Sequence, residues 1–228
     1  MKTAPFGKAE AVNPPARSKT LLRVSHLRSH DISHEYANEI LHYFVRNLGE
    51  IDFVVFSDFN YGALPQSLVD QLIQLCHEKT IPFFADSQSS SQVGNIARFK
   101  GANIVFATER EARIAVNDYK SGLQATANHL ILRAKGKNLF LKLGPEGLLI
   151  ISDRNRLDTQ MLNAFNLNPM DVAGAGDAML ACSVLSSSAG GSIWESAYLG
   201  SLAAGIQVSR LGNLPIEPNE LLAQISQE

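Results

Sequence analysis

Asp171-Val-Ala-Gly-Ala-Gly-Asp177, running directly into Ala-Met-Leu-Ala-Cys182, is the stretch on which the reading of this chain turns. Gly174 and Gly176 stand between two carboxylates, and the second carboxylate falls where a loop of small residues becomes an apolar helix. The first amides of a helix have no intrahelical partner and lie at the positive end of its dipole, so they form an anion site. A carboxylate placed there can take a proton from a hydroxyl while neighbouring amides hold developing phosphate charge. Phosphoryl transfer to an alcohol is the chemistry this suits. The same residues also read as a tight loop in which Asp177 merely caps a helix.

Outward from this stretch, apolar runs alternate with amphipathic helices. Leu21–Ser25, Phe53–Phe56, Ile81–Ala85 and Asn103–Phe106 read as strands. Ser33 caps a helix with Ile40, Leu41, Phe44, Val45 and Leu48 on one face, ended by Gly49. Pro65 opens another, through about Glu78, with Leu68, Leu72, Ile73 and Leu75 facing inward. Two further helices, from Glu109 to about Val116 and from about Leu123 to Arg133, lead to a strand ending at Lys142. Gly147–Ile151 returns against it as a hairpin across Gly144-Pro145. Helices starting at Gly174 and about Ile193 would cover one face. This alternation predicts an α/β fold, a doubly wound and mostly parallel sheet with helices on both faces. Ligands in such sheets collect at the C-terminal strand ends, where Asp58, Asp86, Thr108 and Lys142 fall.

Three more segments join the first. Thr108-Glu-Arg-Glu111, Lys142-Leu-Gly-Pro-Glu-Gly147 and Ala203-Ala-Gly-Ile-Gln-Val-Ser-Arg-Leu-Gly212 occur in that order around it. Together they resemble the motifs of the PfkB/ribokinase-like carbohydrate kinases: N-x-x-E, a nucleotide-side glycine turn, the signature D-T-x-G-A-G-D, and the helix and turn closing the adenine pocket. Asp52-Phe-Val-Val-Phe-Ser-Asp58 and Phe99-Lys-Gly-Ala102 are most similar to the heptose-phosphate kinase branch, which serves ADP-heptose and lipopolysaccharide synthesis. The resemblance runs from about Leu21 to the C-terminus. It leaves residues 1–19 as an irregular tail and 20–228 as the C-terminal portion of a kinase domain. Nothing in residues 1–20 resembles the family's first strands, lid sheet and G-G-x-x-x-N motif. We therefore expect an N-terminally truncated domain, with a homodimer or partner chain as a source of the lid.

The resemblance implies ATP and Mg2+ as cofactors, with K+ as a further candidate, and a sugar as acceptor. It implies Asp177 as the base that activates the acceptor hydroxyl, and the amides of Gly174, Ala175 and Gly176 as the cradle of the transferring phosphate. Lys142, Gly144, Gly147, Thr108, Ser201 and Gly205 fall on the nucleotide side. Glu111 matches the residue that holds magnesium through water; it equally reads as dipole compensation in the first turn of a helix. Asp171 matches a monovalent-cation loop or is a plain surface carboxylate. Asp58 and Asp86 are candidate sugar contacts, Asp58 reading equally as a loop cap. Three departures stand out: Thr108 replaces the Asn of N-x-x-E, Asp86-Ser-Gln88 replaces D-P-K, and Ser201 replaces an Asn near the adenine.

Composition narrows the partners. At 45% hydrophobic and 18% charged the chain has a globular core, and a net charge of -2 gives no reason to expect nucleic acid or anionic membrane. No run approaches the ~18 apolar residues of a membrane span, and residues 1–7 lack the apolar core of a secretory signal. Cys76 and Cys182 read as buried apolar residues, and we expect a soluble cytoplasmic protein. His26, His30 and His34 are four apart, but Asp31 and Ser33 between them are turn and cap residues, against a metal-binding face. A catalytically silent nucleotide-binding module, acting as a regulatory or assembly partner, is the alternative to a kinase. A dinucleotide oxidoreductase is disfavoured because no G-x-G-x-x-G follows the first strand.

Overall fold

The computed structural model describes residues 30–89, 93–152 and 159–226. The expected tail, the strand expected over 21–25, and His26 lie outside the described residues. Six strands form one sheet: β1 (Val54–Asp58), β2 (Phe83–Ser87), β3 (Ile104–Thr108), β4 (Asn138–Lys142), β5 (Leu148–Ser152) and β6 (Thr159–Leu162). Their spatial order follows the chain; β1 to β4 run parallel, and β5 and β6 are antiparallel to their neighbours. The helices α1 (His34–Arg46), α2 (Gln66–Glu78), α3 (Glu109–Val116) and α4 (Leu123–Ala134) cover one face. The second face is covered by α5 (Ala175–Ser188) and α6 (Ile193–Val208), with α7 (Pro218–Ile225) packed on α6.

Period-two alternation along the strands divides the apolar residues between two cores. Phe83, Ala85, Val105, Leu139 and Leu141 point toward α2, α3 and α4; Phe84, Ile104, Phe106 and Phe140 point toward α5 and α6. Each fully buried Phe or Leu stabilises the fold by about 1.5–3 kcal/mol. Phe106 and Phe140 meet edge to face with centroids 5.3 Å apart. One register consequence positions the site. The residues that continue the Phe84, Phe106 and Phe140 rows are Asp86, Thr108 and Lys142, so all three emerge on the α5 side.

Some elements differ from expectation. The strand expected from Ile81 starts at Phe83, because Pro82 has no N–H for the ladder and contributes only its carbonyl, to Val54. At its other end the strand runs on to Ser87, so Asp86, paired with Ser57 and Phe106, lies within β2 rather than beyond it. On α1 the stripe that meets the core is Ala37, Leu41 and Phe44, spaced i, i+4, i+7. Ile40 and Val45 flank that stripe and are exposed, and Leu48 falls in a separate 3-10 turn. Leu75 is only partly buried, whereas Val69 and Cys76 are wholly so. Cys182 is half-buried and, like Cys76, forms no disulfide. Strand β6 and helix α7 were not foreseen.

Candidate functional site

The N-terminus of α5 opens into a cleft of about 730 Å³ that brings together Thr108, Glu111, Lys142, Gly144, Gly147, Gly174, Ala175, Gly176, Asp177, Ser201 and Gly205. Gly174 precedes the helix at φ +78, a left-handed conformation that costs glycine little, and makes no side-chain cap. A Cβ there would lie 2.1 Å from Asn213 Oδ1. The Ala175 N–H donates to the Val172 carbonyl at 3.4 Å, and Ala178 N–H makes the first helical bond, to Gly174 O. Between them, the N–H groups of Gly176 and Asp177 have no partner among the described residues; both residues line the cleft, at the positive end of the dipole. The Ala175 amide is thus the one member of the expected cradle already engaged. Among the described residues no hydrogen bond engages the half-buried Asp177 carboxylate.

Lys142 lies beneath this loop. Its Nζ is 2.8 Å from Asp86 Oδ1, and an ideal Cβ on Gly176 would be 3.6 Å from that Nζ. The ammonium therefore sits between a buried carboxylate on β2 and the anion loop, having crossed over β3. Asp86 is 1% exposed, and its Oδ2 has no hydrogen-bond partner among the described residues. Burial pushes its carboxyl above the ordinary range, Lys142 pulls it back, and the nearby Glu111 and Asp177 carboxylates push it up again. Asp86 is not among the residues lining the cleft; it faces Lys142.

Thr108 and Glu111 form a reciprocal capping box at the start of α3. Glu111 N–H donates to Thr108 Oγ1 at 3.3 Å, and Thr108 N–H donates to Glu111 Oε2 at 2.7 Å. The other oxygen, Oε1, accepts from Ser89 N–H at 3.1 Å. A carboxylate offers about four lone-pair sites, so Glu111 retains room for a magnesium-bound water. Among the described residues no group of three or more His, Cys, Asp or Glu could hold a metal without help. Magnesium is commonly carried by substrate phosphates plus one or two carboxylates, a role Glu111 has the free lone pairs to fill.

On the nucleotide side, Gly147 takes φ +98 to start β5, and a Cβ there would meet Leu162 O at 2.0 Å. Ser201 lines the cleft, and its buried hydroxyl has no hydrogen-bond partner among the described residues, leaving it able to bond a ligand. Gly205 lets Phe165 approach α6: a Cβ would be 2.9 Å from Phe165 Cβ. The cleft also contains Phe59, Arg110, Phe165 and Asn166, which sequence reasoning missed. Arg110 was legible, being the third residue of Thr108-Glu-Arg-Glu111 and close to the Glu. Phe59 and Phe165 carry no local signal beyond an aromatic after a strand or in a loop.

Besides Asp86, two more expected site residues do not line the cleft. Asp58 is 4% exposed; its Oδ2 pairs with Arg98 Nη2 at 2.8 Å and its Oδ1 accepts from Asn60 N–H at 2.9 Å. It does not line the cleft and acts as the loop cap that was the other reading. Asp171 sits behind the anion loop, accepting from Ala173 N–H at 3.0 Å and Gly212 N–H at 3.1 Å. Those bonds, that of Ala173 foremost, hold its carboxyl below the usual range.

Residues 28–219 match the model described as pfkB family carbohydrate kinase. The bifunctional protein HldE of Desulfatibacillum aliphaticivorans is 27% identical over 218 residues, covering 92% of this chain and 42% of that protein. The protein of the same name from Coxiella burnetii (strain Dugway 5J108-111) is 27% identical over 213 residues, 92% of this chain and 43% of the other. The chain thus spans less than half the length of these relatives. Escherichia coli phosphofructokinase-2 in complex with potassium superposes with a TM-score of 0.73 at 16% identity, over 86% of this chain and 63% of that one. Ribokinase from Thermotoga maritima gives 0.64 at 20% identity, over 79% and 59%. At such identities the solved structures establish the fold.

Proposed function

Because this chain belongs to the pfkB family of carbohydrate kinases, we propose that it transfers the terminal phosphoryl group of ATP to a sugar hydroxyl. One observation carries the proposal. The Asp177 carboxylate, which accepts no hydrogen bond among the described residues, follows Gly176, whose ideal Cβ would lie 3.6 Å from the Lys142 ammonium nitrogen, and both line a cleft large enough for a nucleotide. Asp177 takes the proton of the attacking hydroxyl as the new P–O bond forms. The Gly176 and Asp177 amides and the Lys142 ammonium face the charge that gathers on the phosphoryl oxygens. Magnesium, bound with the nucleotide and held through water by Glu111, would supply neutralising charge to the phosphates. Ser201 offers its free hydroxyl to the base, Phe165 and Gly205 shape the adenine side, and Arg110 adds a cation at the mouth.

A heptose of cell-surface polysaccharide synthesis is the acceptor we favour. This rests on the similarity of Asp52–Asp58 and Phe99–Ala102 to the heptose-phosphate kinases and on the relatives bearing the name HldE. The test is ADP release with ATP, magnesium and a panel of heptoses, hexoses and pentoses, each with and without a phosphate. ADP formation that depends on one heptose and disappears in Asp177→Asn supports the proposal. Tight nucleotide binding with no sugar-dependent ADP across the panel would favour a silent nucleotide-binding module.

A further inference from the structure

The anion loop is braced from behind by a ring of contacts that the transfer chemistry does not use. Gln207, in the last turn of α6 and 1% exposed, donates its Nε2 amide to two backbone carbonyls, Gly212 at 2.9 Å and Ala173 at 3.2 Å. Asp171 closes the ring from the other side through the N–H groups of the same two residues, Ala173 and Gly212. Met170 N–H donates to Val208 O at 2.7 Å, and Asn213 packs against Gly174. The turn after α6 and the loop before α5 are therefore one unit.

Two carbonyl oxygens that converge repel each other unless something positive lies between them. A monovalent cation can do this, and the resemblance assigns a cation to the Asp171 loop. An –NH2 group can also do it, because it carries two hydrogens for two acceptors. The acceptors fix the amide's orientation: turned over, Gln207 would point oxygen at oxygen. A cation in contact with these carbonyls would have to displace the amide from both and leave it buried without acceptors. Asp171 has likewise committed an oxygen to each N–H. The residues present do not fit a resident cation.

We propose that the Gln207 amide is a built-in replacement for the monovalent cation, so that the anion loop keeps its shape without potassium. The chain is then a carbohydrate kinase whose activity is indifferent to K+. The consequence for turnover rests on the kinase reading; the consequence for stability does not.

The experiment compares KCl, NaCl and tetramethylammonium chloride at equal ionic strength, by thermal unfolding and by ADP release. A resident potassium site at a hundredfold excess over its Kd would raise Tm by roughly 5–10 °C. The wild-type protein should show no potassium-specific rise and equal rates in the three salts. Gln207→Ala opens the ring and should melt lower in tetramethylammonium, with KCl restoring part of the loss. A potassium-specific Tm rise of that size in the wild type, or clear activation by potassium, overturns the proposal. So does a folded Gln207→Ala protein that does not respond to potassium. Should that variant fail to fold, the wild-type comparison still decides. If no sugar is phosphorylated in any salt, the kinase reading fails while the melting comparison still tests the amide.

Discussion

Lys142→Met removes the charge beneath the anion loop while keeping most of the side-chain volume. In the native protein Lys142 Nζ is 2.8 Å from Asp86 Oδ1, and Asp86 Oδ2 is already unpartnered. The variant leaves a carboxylate 1% exposed with no ion-pair partner. Breaking a buried pair from one side costs about 3–5 kcal/mol, a large share of the about 5–15 kcal/mol that holds a domain together. The lysine side chain is 14% exposed, so water screens part of the interaction and the low end, about 3 kcal/mol, is expected. Asp86→Asn combined with Lys142→Met removes both charges and should recover much of that loss. The pH dependence has a definite sign. Burial lifts the Asp86 carboxyl above its ordinary 3.8 in the native state, so the native form binds a proton that the unfolded chain releases. Stability from this site therefore falls as pH rises from 3.8 through the folded pKa. Losing Lys142 lifts that pKa further, so the deficit of the variant should narrow toward acid. For turnover, a unit charge about 5 Å from the phosphoryl oxygens at an effective dielectric of ~20 is worth about 3 kcal/mol, or roughly 10² in rate. Urea unfolding at several pH values and kcat for ADP release are the measurements. A Lys142→Met protein within about 0.5 kcal/mol of the parent, the range of an ordinary surface change, would refute the reasoning, as would a double variant no more stable than the single.

Asp177→Asn should lower kcat by about 10²–10⁴ while leaving nucleotide affinity, read by calorimetry, unchanged. Gly174→Ala should cost stability and activity together, since its Cβ would meet Asn213 Oδ1 at 2.1 Å. Gly144→Ala, at φ +62 with nothing within 4 Å, should cost only the left-handed backbone strain of about 1–2 kcal/mol; thermal melts of the two separate clash from strain. The Asp118 carboxyl, lowered to about 2 by hydrogen bonds from Ser121 and Lys120, supports stability above the unfolded value of 3.8 that is lost as pH falls through about 2. Asp118→Asn should flatten the acid limb of the stability curve over that interval, and NMR titration of the parent should find the low value directly.

Elements were legible where one local pattern decides them. Phe53–Phe56 and Ile104–Phe106 are continuous apolar runs, Ser33 and Pro65 mark helix starts, and Gly144-Pro145 fits only a tight connection between β4 and β5. Strand β6, Thr-Gln-Met-Leu, has neither alternation nor a continuous apolar run; its existence follows from the free edge of β5. Helix α7 buries no residue fully, but Pro218 in its first turn, the Glu217/Glu220 capping box and the apolar side formed by Leu221, Leu222 and Ile225 were signals that went unread. The anion loop was legible because its chemistry is local, with glycine, amide and carboxylate within seven consecutive residues. Asp58 and Asp86 were ambiguous for the opposite reason. Their partners, Arg98 and Lys142, lie 40 and 56 residues away, brought near by sheet geometry that a one-dimensional pattern does not contain.

The same geometry gives the strongest reason to place the base at Asp177. Five carboxylates cluster around the C-terminal strand ends and the anion loop, and sequence alone ranks them poorly. Asp58 is committed to Arg98 and the Asn60 amide, Asp86 to Lys142, and Glu111 to the Ser89 and Thr108 amides. Asp171 is committed to the Ala173 and Gly212 amides. A carboxylate bound this way is a poor proton acceptor, because the donors that hold it favour its charged form. Asp86, whose pKa is raised, is screened from substrate by the lysine it holds. Of these five, Asp177 alone combines a place in the cleft, no hydrogen bond among the described residues and a neighbouring anion site. Asp177 is also near enough to Asp86 to push that buried carboxyl up, as Glu111 does. If Asp177→Asn retained more than a tenth of the parent rate, none of the other four could take over the role in this geometry without first breaking a bond described here.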